Sequence, residues 1–233
     1  MKDFTFYREA EILKGLRSAA LEEDTKSALN EFSLRPLDES EYAVFSLDLC
    51  NDRVDRHFSR FPVEELEKIN KLLPGKPLME RHDVRGSLPV GTFFRSTLHE
   101  DGEVLSVRPD VYIMRTPENE ALIMNIEGGV YRGTSIGFTF RLPECSVCGK
   151  DIRECLHVPG KLNEGELCHY IMRDVIDVLE GSIVFAGSQG TEFVGSSRNL
   201  PTAWGALVGT RQDLASSGES GPLRGAVVLM ADE

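Results

Sequence analysis

The chain has 233 residues and a formal net charge of -12, because its 38 Asp and Glu residues outnumber its 26 Lys and Arg residues. Apolar residues make up 41% of the chain, which suffices for the core of one large domain or two small ones and excludes disorder throughout. The basic residues are scattered, which argues against a nucleic-acid-binding protein, since phosphate neutralisation requires clustered Lys and Arg. No run of about 18 apolar residues occurs, which excludes a membrane-spanning helix.

The sequence predicts three regions. Residues 1–40 are expected to form an N-terminal helix, over residues 8–22, and a polar linker; residues 41–210 form the main domain; residues 211–233, which are rich in Ser, Gly and Ala, form a flexible tail. The N-terminus lacks the apolar stretch of a secretory signal, which favours a reducing cytoplasm. Under those conditions the five cysteines are expected to bind a metal rather than to form disulfides.

The main domain is predicted to be mostly β with two helices. β-patterns cover residues 41–49, 77–79, 90–96, 103–114, 134–142, 170–178 and 182–186. One amphipathic helix is predicted over residues 61–73 and a second over residues 116–126, with Thr116 as its N-cap and Gly128 at its end. These elements indicate an α+β fold that contains a small antiparallel sheet or barrel.

Two short motifs contain the residue types that acyl transfer requires. His82 lies in a Glu-Arg-His-Asp motif at 80–83, and a histidine can take a proton from a hydroxyl near neutral pH and return it to a leaving amine. Ser135 lies in Gly-Thr-Ser-Ile-Gly at 133–137, where small neighbours would expose its hydroxyl and let backbone amides approach an oxyanion. The order here is helix then strand, opposite to that of a nucleophile elbow. From spacing alone, a structural role is the simpler interpretation of the serine.

A cysteine-rich segment at 145–170 interrupts the β-pattern and is interpreted as an insertion. Its Cys-x2-Cys-x6-Cys-x-His spacing is typical of a tetrahedral Zn²⁺ site. The preferred ligands are Cys145, Cys148, Cys155 and His157, with Cys168 in place of His157 as the main alternative. Because four protein ligands leave no position open for water, the zinc is expected to be structural and to stabilise an insertion without a core of its own.

Four sequence blocks resemble, in order and spacing, the prohead proteases of tailed bacteriophages. The blocks are Gly75 to Asp83, Pro89 to Gly91, Gly133 to Phe138 and Leu179 to Val184, and the resemblance covers roughly residues 41–190. It implies a serine endopeptidase related in fold to the herpesvirus assemblins, with a small closed β-barrel wrapped by helices. Within it His82 takes the place of the general base and Ser135 that of the nucleophile, and the chemistry of both residue types agrees with these roles.

An acidic residue is expected as the third member of the triad. Glu180 precedes the Ser-Ile-Val segment at 182–184, where the family pattern places a Glu, and a carboxylate there would hold the imidazole tautomer of His82. Asp177 is the competing residue, and the herpesvirus enzymes use a second histidine at this point of the triad.

The resemblance also implies a biological setting. The substrates would be scaffold protein and the N-terminal region of the major capsid protein, cut inside the viral prohead in the host cytoplasm, with no membrane and no direct nucleic-acid partner. Self-cleavage is expected as well, in the tail after Arg211, and so is a homodimer like that of the assemblins.

Two other functions remain open. One is a non-enzymatic, zinc-stabilised capsid assembly or scaffold module in which Ser135 and His82 are structural. The other is a zinc hydrolase with a catalytic metal, which is disfavoured because no His-Glu-x-x-His pattern is present.

Overall fold

The computed structural model describes residues 23–83 and 85–194. The helix predicted over residues 8–22 and the tail predicted over 211–233 therefore lie outside the described residues. Within the described ranges the fold is mainly β with three helices, which confirms the predicted α+β class. The helices are residues 23–30 (α1), Val63–Leu72 (α2) and Glu120–Glu127 (α3). None of these helices is both long and apolar enough to cross a membrane.

Ten strands occur in the described part of the chain. They are β1 (Tyr42–Ser46), β2 (Cys50–Asn51), β3 (Ser59–Arg60), β4 (Pro77–Glu80), β5 (Gly91–Asp101), β6 (Val104–Met114), β7 (Thr134–Cys145), β8 (Leu162–Asn163), β9 (Glu166–Leu167) and β10 (Tyr170–Ile183). Eight of them form one sheet, and β8 and β9 form a separate two-stranded sheet.

The main sheet is mixed and open. Its strand order is β1-β6-β5-β4-β10-β3, with β2 paired to β6 and β7 paired to β10. The segments at 77–79, 90–96 and 103–114, from which an antiparallel sheet or barrel is predicted, do pair antiparallel as β4, β5 and β6. The whole sheet is mixed, because β10 runs parallel to β3 and β4 but antiparallel to β7. The closed barrel is not found in the described residues. A closed barrel would require β1 and β7 to be joined by a continuous ladder of paired residues. The described residues form isolated bridges there instead, from Phe193 to Leu47, just after β1, and from Glu192 to Gly133, just before β7.

Helix α2 covers the main core. Its buried residues Leu66 and Ile69, with Leu73 just past its end, follow helical spacing and pack towards β5, β6 and β10. Pro62 occupies the N-cap position, and acidic residues in the first turn lie near the positive end of the helix dipole. The helix predicted over residues 61–73 is thus confirmed with slightly shorter bounds.

The polar segment predicted as a linker packs on the sheet instead. Residues 23–30 are helical, and Leu29 is fully buried in a second apolar cluster. The other buried members of that cluster are Leu37, Tyr42, Phe94 and Tyr112. The segment is largely polar, and for that reason it was predicted to be a linker. A few buried apolar side chains are nevertheless enough to anchor a short helix to the sheet.

Candidate functional site

Strand β10 turns two polar side chains away from the core. Val178 is fully buried in the core, and a Cβ added at Gly181 would lie 2.6 Å from the Phe93 ring, so both positions face inwards. A register shift against β7 falls between Val178 and Glu180. A β-bulge of this kind changes the alternation of side chains, so Glu180 and Ser182 point to the opposite face.

Glu180 is the centre of a hydrogen-bonded cluster on that face. One carboxylate oxygen, Oε1, lies 2.6 Å from Nδ1 of His82, and the other, Oε2, accepts the hydroxyl of Ser182 at 2.5 Å. The Glu180 side chain is 3% exposed, whereas that of His82 is 38% exposed. The carboxylate is therefore desolvated, while the imidazole can still be reached from solvent.

A tight turn after β4 places His82 over β10. Arg81 donates its backbone N–H to the carbonyl of Ile183, and His82 donates its own to Oγ of Ser182 at 3.0 Å. Both Arg81 and His82 adopt left-handed backbone conformations, with φ of 60° and 56°. Such conformations cost on the order of 1 kcal/mol each for residues with a side chain, and strain of this kind is concentrated at functional sites.

Ser135 lies on the same face of the neighbouring strand. It is the direct cross-strand partner of Ser182, and Ser182 is two residues from Glu180, so the three side chains point to one side of the β7–β10 pair. Ser135 is half-buried, and its hydroxyl forms no hydrogen bond with the described residues. Because Glu180 occupies Nδ1 of His82, Nε2 is the ring nitrogen left to act on a hydroxyl. The fold thus places Glu180 in contact with His82, and Ser135 on the same face of the neighbouring strand.

Gly137 makes room for the acid. It is the cross-strand partner of Glu180, and a Cβ added at Gly137 would lie 2.1 Å from Oε1 of Glu180. The carboxylate therefore occupies the space that any other residue at 137 would need.

Asp177, the competing acid, belongs to a different contact. Its Oδ1 accepts Nζ of Lys76 at 2.7 Å, and its side chain is 44% exposed. The acid in contact with His82 is Glu180.

A cavity of about 730 Å³ is lined by residues that neighbour the candidate site in sequence, although His82, Ser135 and Glu180 are not among its lining residues. Its lining includes Arg81, which precedes His82; Gly133, two residues before Ser135; and Ile183, which follows Ser182. Exposed apolar side chains from Val130, Tyr131 and Phe185 also line it. The cavity is large enough to take side chains of a bound polypeptide.

A second cluster of chemically active residues lies at the far end of β7. The ligand atoms of Cys145, Cys148, Cys155 and His157, called the metal cluster below, all lie within 4.8 Å of one another. Cys145 ends β7, and the turn that follows closes through a hydrogen bond from Gly149 N–H to the Cys145 carbonyl. Sγ of Cys145 lies 3.6 Å from Nδ1 of His157.

The donor set of the metal cluster fits a tetrahedral metal ion. Zinc–sulfur bonds of about 2.3 Å place two ligand sulfurs about 3.8 Å apart, which falls within the 4.8 Å that bounds the separations of the four donor atoms. Burial raises the pKa of the Cys145 thiol, but hydrogen bonds from the Cys148 and Val147 amides and from the Cys148 and Cys155 thiols outweigh it and lower that pKa to about 6. Metals bind the thiolate form of cysteine, and a lowered pKa favours that form near neutral pH.

Cys168, the alternative ligand, lies beside the metal cluster without belonging to the four mutually close donors. Burial, and then the neighbouring Cys145, raise the pKa of its thiol to about 11. Cys50 lies apart in the core, where burial raises the pKa of its thiol. All five cysteines are free thiols.

The segment that holds the metal cluster has no hydrophobic core. No residue from 146 to 167 is buried, and Leu156 and Leu162 are exposed. Its ordered features are one 3-10 turn, Ile152–Glu154, and the β8–β9 hairpin. Metal ligation would therefore supply stabilisation that the burial of side chains does not provide for this segment.

Comparisons of the chain with protein-family models, with curated proteins and with solved structures found no significant match. The resemblance to prohead proteases depends on the four sequence blocks alone. Two residues of the site, Ser182 and Gly137, were not singled out from the sequence. The sequence did contain a signal for each of them. The Glu-Gly-Ser spacing at 180–182 places Glu180 and Ser182 on one face of a strand, and a glycine inside a strand, such as Gly137, marks a close approach of another group.

Proposed function

We propose that the protein is a serine endopeptidase in which Ser135 is the nucleophile, His82 the general base and Glu180 the acid that orients His82. The observation that carries the proposal is the contact of 2.6 Å between the buried Glu180 carboxylate and Nδ1 of His82, on the strand face that also carries Ser135. A buried acid that fixes one nitrogen of a half-exposed histidine, with a serine beside it, is the arrangement that activates a hydroxyl.

The reaction follows from these positions. As Oγ of Ser135 attacks the carbonyl carbon of the scissile peptide bond, Nε2 of His82 takes the hydroxyl proton. Backbone amides near Ser135 stabilise the oxyanion, an effect of roughly 3 kcal/mol per donor. His82 then protonates the leaving amine, the C–N bond breaks, and a water molecule, activated in the same way, hydrolyses the acyl-enzyme. Glu180 accepts a hydrogen bond from Nδ1–H of His82 throughout and stabilises the imidazolium.

The resemblance to prohead proteases supports the substrates that we propose. These are scaffold protein and the N-terminal region of the major capsid protein, cut inside the prohead, together with self-cleavage in residues 211–233. A homodimer is part of the same proposal. The cavity lined by sequence neighbours of the triad residues is consistent with a polypeptide substrate, because its wall combines apolar side chains with glycine backbone.

For the metal cluster we propose a structural Zn²⁺ ion. Cys145, Cys148, Cys155 and His157 would hold it, and its contribution would be to the folding of residues 145–170 rather than to the reaction. The triad carries out proton transfer with side chains of β7, β10 and the turn after β4, and the metal cluster lies at the other end of β7.

Intact-mass spectrometry tests the protease proposal. The wild-type protein, Ser135→Ala and Ser96→Ala would be incubated at equal concentration with and without the assembled capsid precursor. Ser96 is a half-buried strand serine outside the site, so it is a matched control. We expect fragments from the wild type and from Ser96→Ala, and none from Ser135→Ala.

Each other outcome supports a different function. Uncut spectra from folded wild-type protein would support the non-enzymatic assembly module. Cleavage that persists in Ser135→Ala but stops on chelation, without unfolding, would support a catalytic metal.

A further inference from the structure

We propose that Ser182 is a positioning residue that locks His82 in its working orientation, an inference that rests on the proposed function. Three hydrogen bonds form a closed ring. Ser182 Oγ donates to Oε2 of Glu180 at 2.5 Å, Oε1 of Glu180 lies 2.6 Å from Nδ1 of His82, and the backbone N–H of His82 returns to Ser182 Oγ at 3.0 Å. The ring fixes both the backbone and the imidazole of the same histidine.

The location of Ser182 explains how one hydroxyl can affect the positions of both Glu180 and His82. β10 lies between β7 and β4, and Ser182 is paired with Ser135 on one side and with Met79 on the other. It therefore links the strand of the nucleophile to the strand from which His82 emerges. Its contact with the N–H of His82 also helps to hold the left-handed backbone of that residue.

Ser182 does not compete with Ser135 as the nucleophile. It is fully buried, its proton is donated to Glu180, and the group that it accepts from His82 is the backbone N–H, not the ring. A substrate carbonyl carbon cannot reach an oxygen enclosed in this way, so the role of Ser182 is exerted through Glu180 and His82.

The test uses Ser182→Ala beside two companion variants. Ser182→Thr keeps the hydroxyl, and Ser59→Ala is the matched control, because Ser59 is also a buried strand serine that donates to a carboxylate, Oδ2 of Asp55, at 2.8 Å. The probe is a fluorophosphonate: Ser135 Oγ forms a bond to phosphorus, the P–F bond breaks, fluoride leaves and His82 takes the hydroxyl proton. This reaction measures activation of the nucleophile without a known peptide substrate.

We expect Ser182→Ala to lower the first-order inactivation constant, kinact, about tenfold to 100-fold while leaving the probe's KI unchanged. Ser182→Thr should restore most of the rate. Ser59→Ala should lower the thermal midpoint but keep the wild-type rate. An unchanged kinact in folded Ser182→Ala, beside a reactive wild type, would overturn the positioning role and leave the protease proposal intact.

A second readout separates this inference from the protease proposal. The hydrogen-bonded Nδ1–H proton of His82 should give a downfield NMR signal that disappears in Ser182→Ala and in Glu180→Gln but persists in Ser182→Thr and Ser59→Ala. A wild type that does not react with the probe but shows this pattern would refute the protease and retain the positioning role. A signal that persists in Ser182→Ala would refute the positioning role whatever the reactivity.

Discussion

At the residue scale, Gly137 sets the position of Glu180, the acid of the proposed triad. Replacing it with alanine would put a methyl group where Oε1 of Glu180 now lies, at a separation of 2.1 Å, so the carboxylate must move. We expect Gly137→Ala to lower the rate of fluorophosphonate labelling at least tenfold and to cost about 1–3 kcal/mol of unfolding free energy, as overpacking does. Labelling kinetics and urea denaturation measure the two effects.

Gly91→Ala is the control for this prediction. A Cβ at Gly91, in β5, would crowd the carbonyl oxygen of Tyr112 at 2.7 Å, away from the triad. It should reduce stability without slowing labelling of the folded protein. Equal labelling rates for Gly137→Ala and the wild type would contradict the role assigned to Gly137.

The choice between the two acids can be tested by neutral, isosteric substitutions. Glu180→Gln keeps the shape of the buried side chain but removes the charge that stabilises the imidazolium, so we expect kcat to fall by a factor of about 10² to 10⁴. Asp177→Asn loses only a half-exposed ion pair with Lys76 and should leave kcat near that of the wild type. Peptide-cleavage kinetics on both variants decide the matter, and a larger loss in Asp177→Asn would reverse the assignment.

The sequence alone identified Glu180 as the acid next to His82, but it did not identify Ser182. Glu180 was preferred over Asp177 because of its place before the Ser-Ile-Val segment, and it is the acid that contacts His82. The part played by Ser182 depends on a hydrogen bond to a backbone N–H 100 residues away, which no local pattern encodes. This contact could be recognised only once the burial of Ser182 and the pairing of β10 with β4 and β7 were known.

At the element scale, local pattern predicted α2 and β6 closely, but it placed the start of α3 at residue 116 instead of Glu120 and took α1 for part of a linker. It also failed where a strand departs from regular alternation. The pattern over residues 103–114 gave β6 almost to the residue, since the turn at Gly102 marks its start. β10 was predicted as two strands because its apolar pattern breaks near Glu180, yet it is one strand of 14 residues with register shifts. A bulge looks like an interruption in the sequence, because it changes the phase of the alternation without ending the strand.

The next prediction concerns the metal content of the insertion at 145–170. Metal analysis should find one zinc ion per chain, and a chelator should release it and increase hydrogen exchange in residues 146–167, because this segment buries no residue of its own. Cys148→Ser should lose the metal, whereas Cys50→Ala should retain it, since Cys50 lies in the core away from the metal cluster. Full metal content in Cys148→Ser would show that another residue, with Cys168 the first to examine, completes the site.

At the scale of the whole molecule, the sheet brings together residues that the sequence keeps far apart. Each member of the triad comes from a different element: the turn after β4, the start of β7 and the end of β10. The expectation of a closed barrel failed because closure depends on pairings between distant strands, here β1 and β7. In the described residues these strands are joined through isolated bridges and hydrogen bonds to residues 192–194, without a continuous ladder. Neither composition nor periodicity specifies such pairings.

The long β7–β10 ribbon connects the proposed triad to the metal cluster. Ser135 and Cys145 are ten residues apart on β7, a distance of about 33 Å along an extended strand. Paired strands can slide only in whole-residue steps, and a single step would bring Gly181 or Ile183 opposite Ser135 in place of Ser182. β4 pairs with residues 181–183 and so holds the register of β10 beside Ser135, whereas the metal cluster lies at the far end of the ribbon, at Cys145. Removing a bound metal would therefore release residues 146–167 and leave Ser182 opposite Ser135.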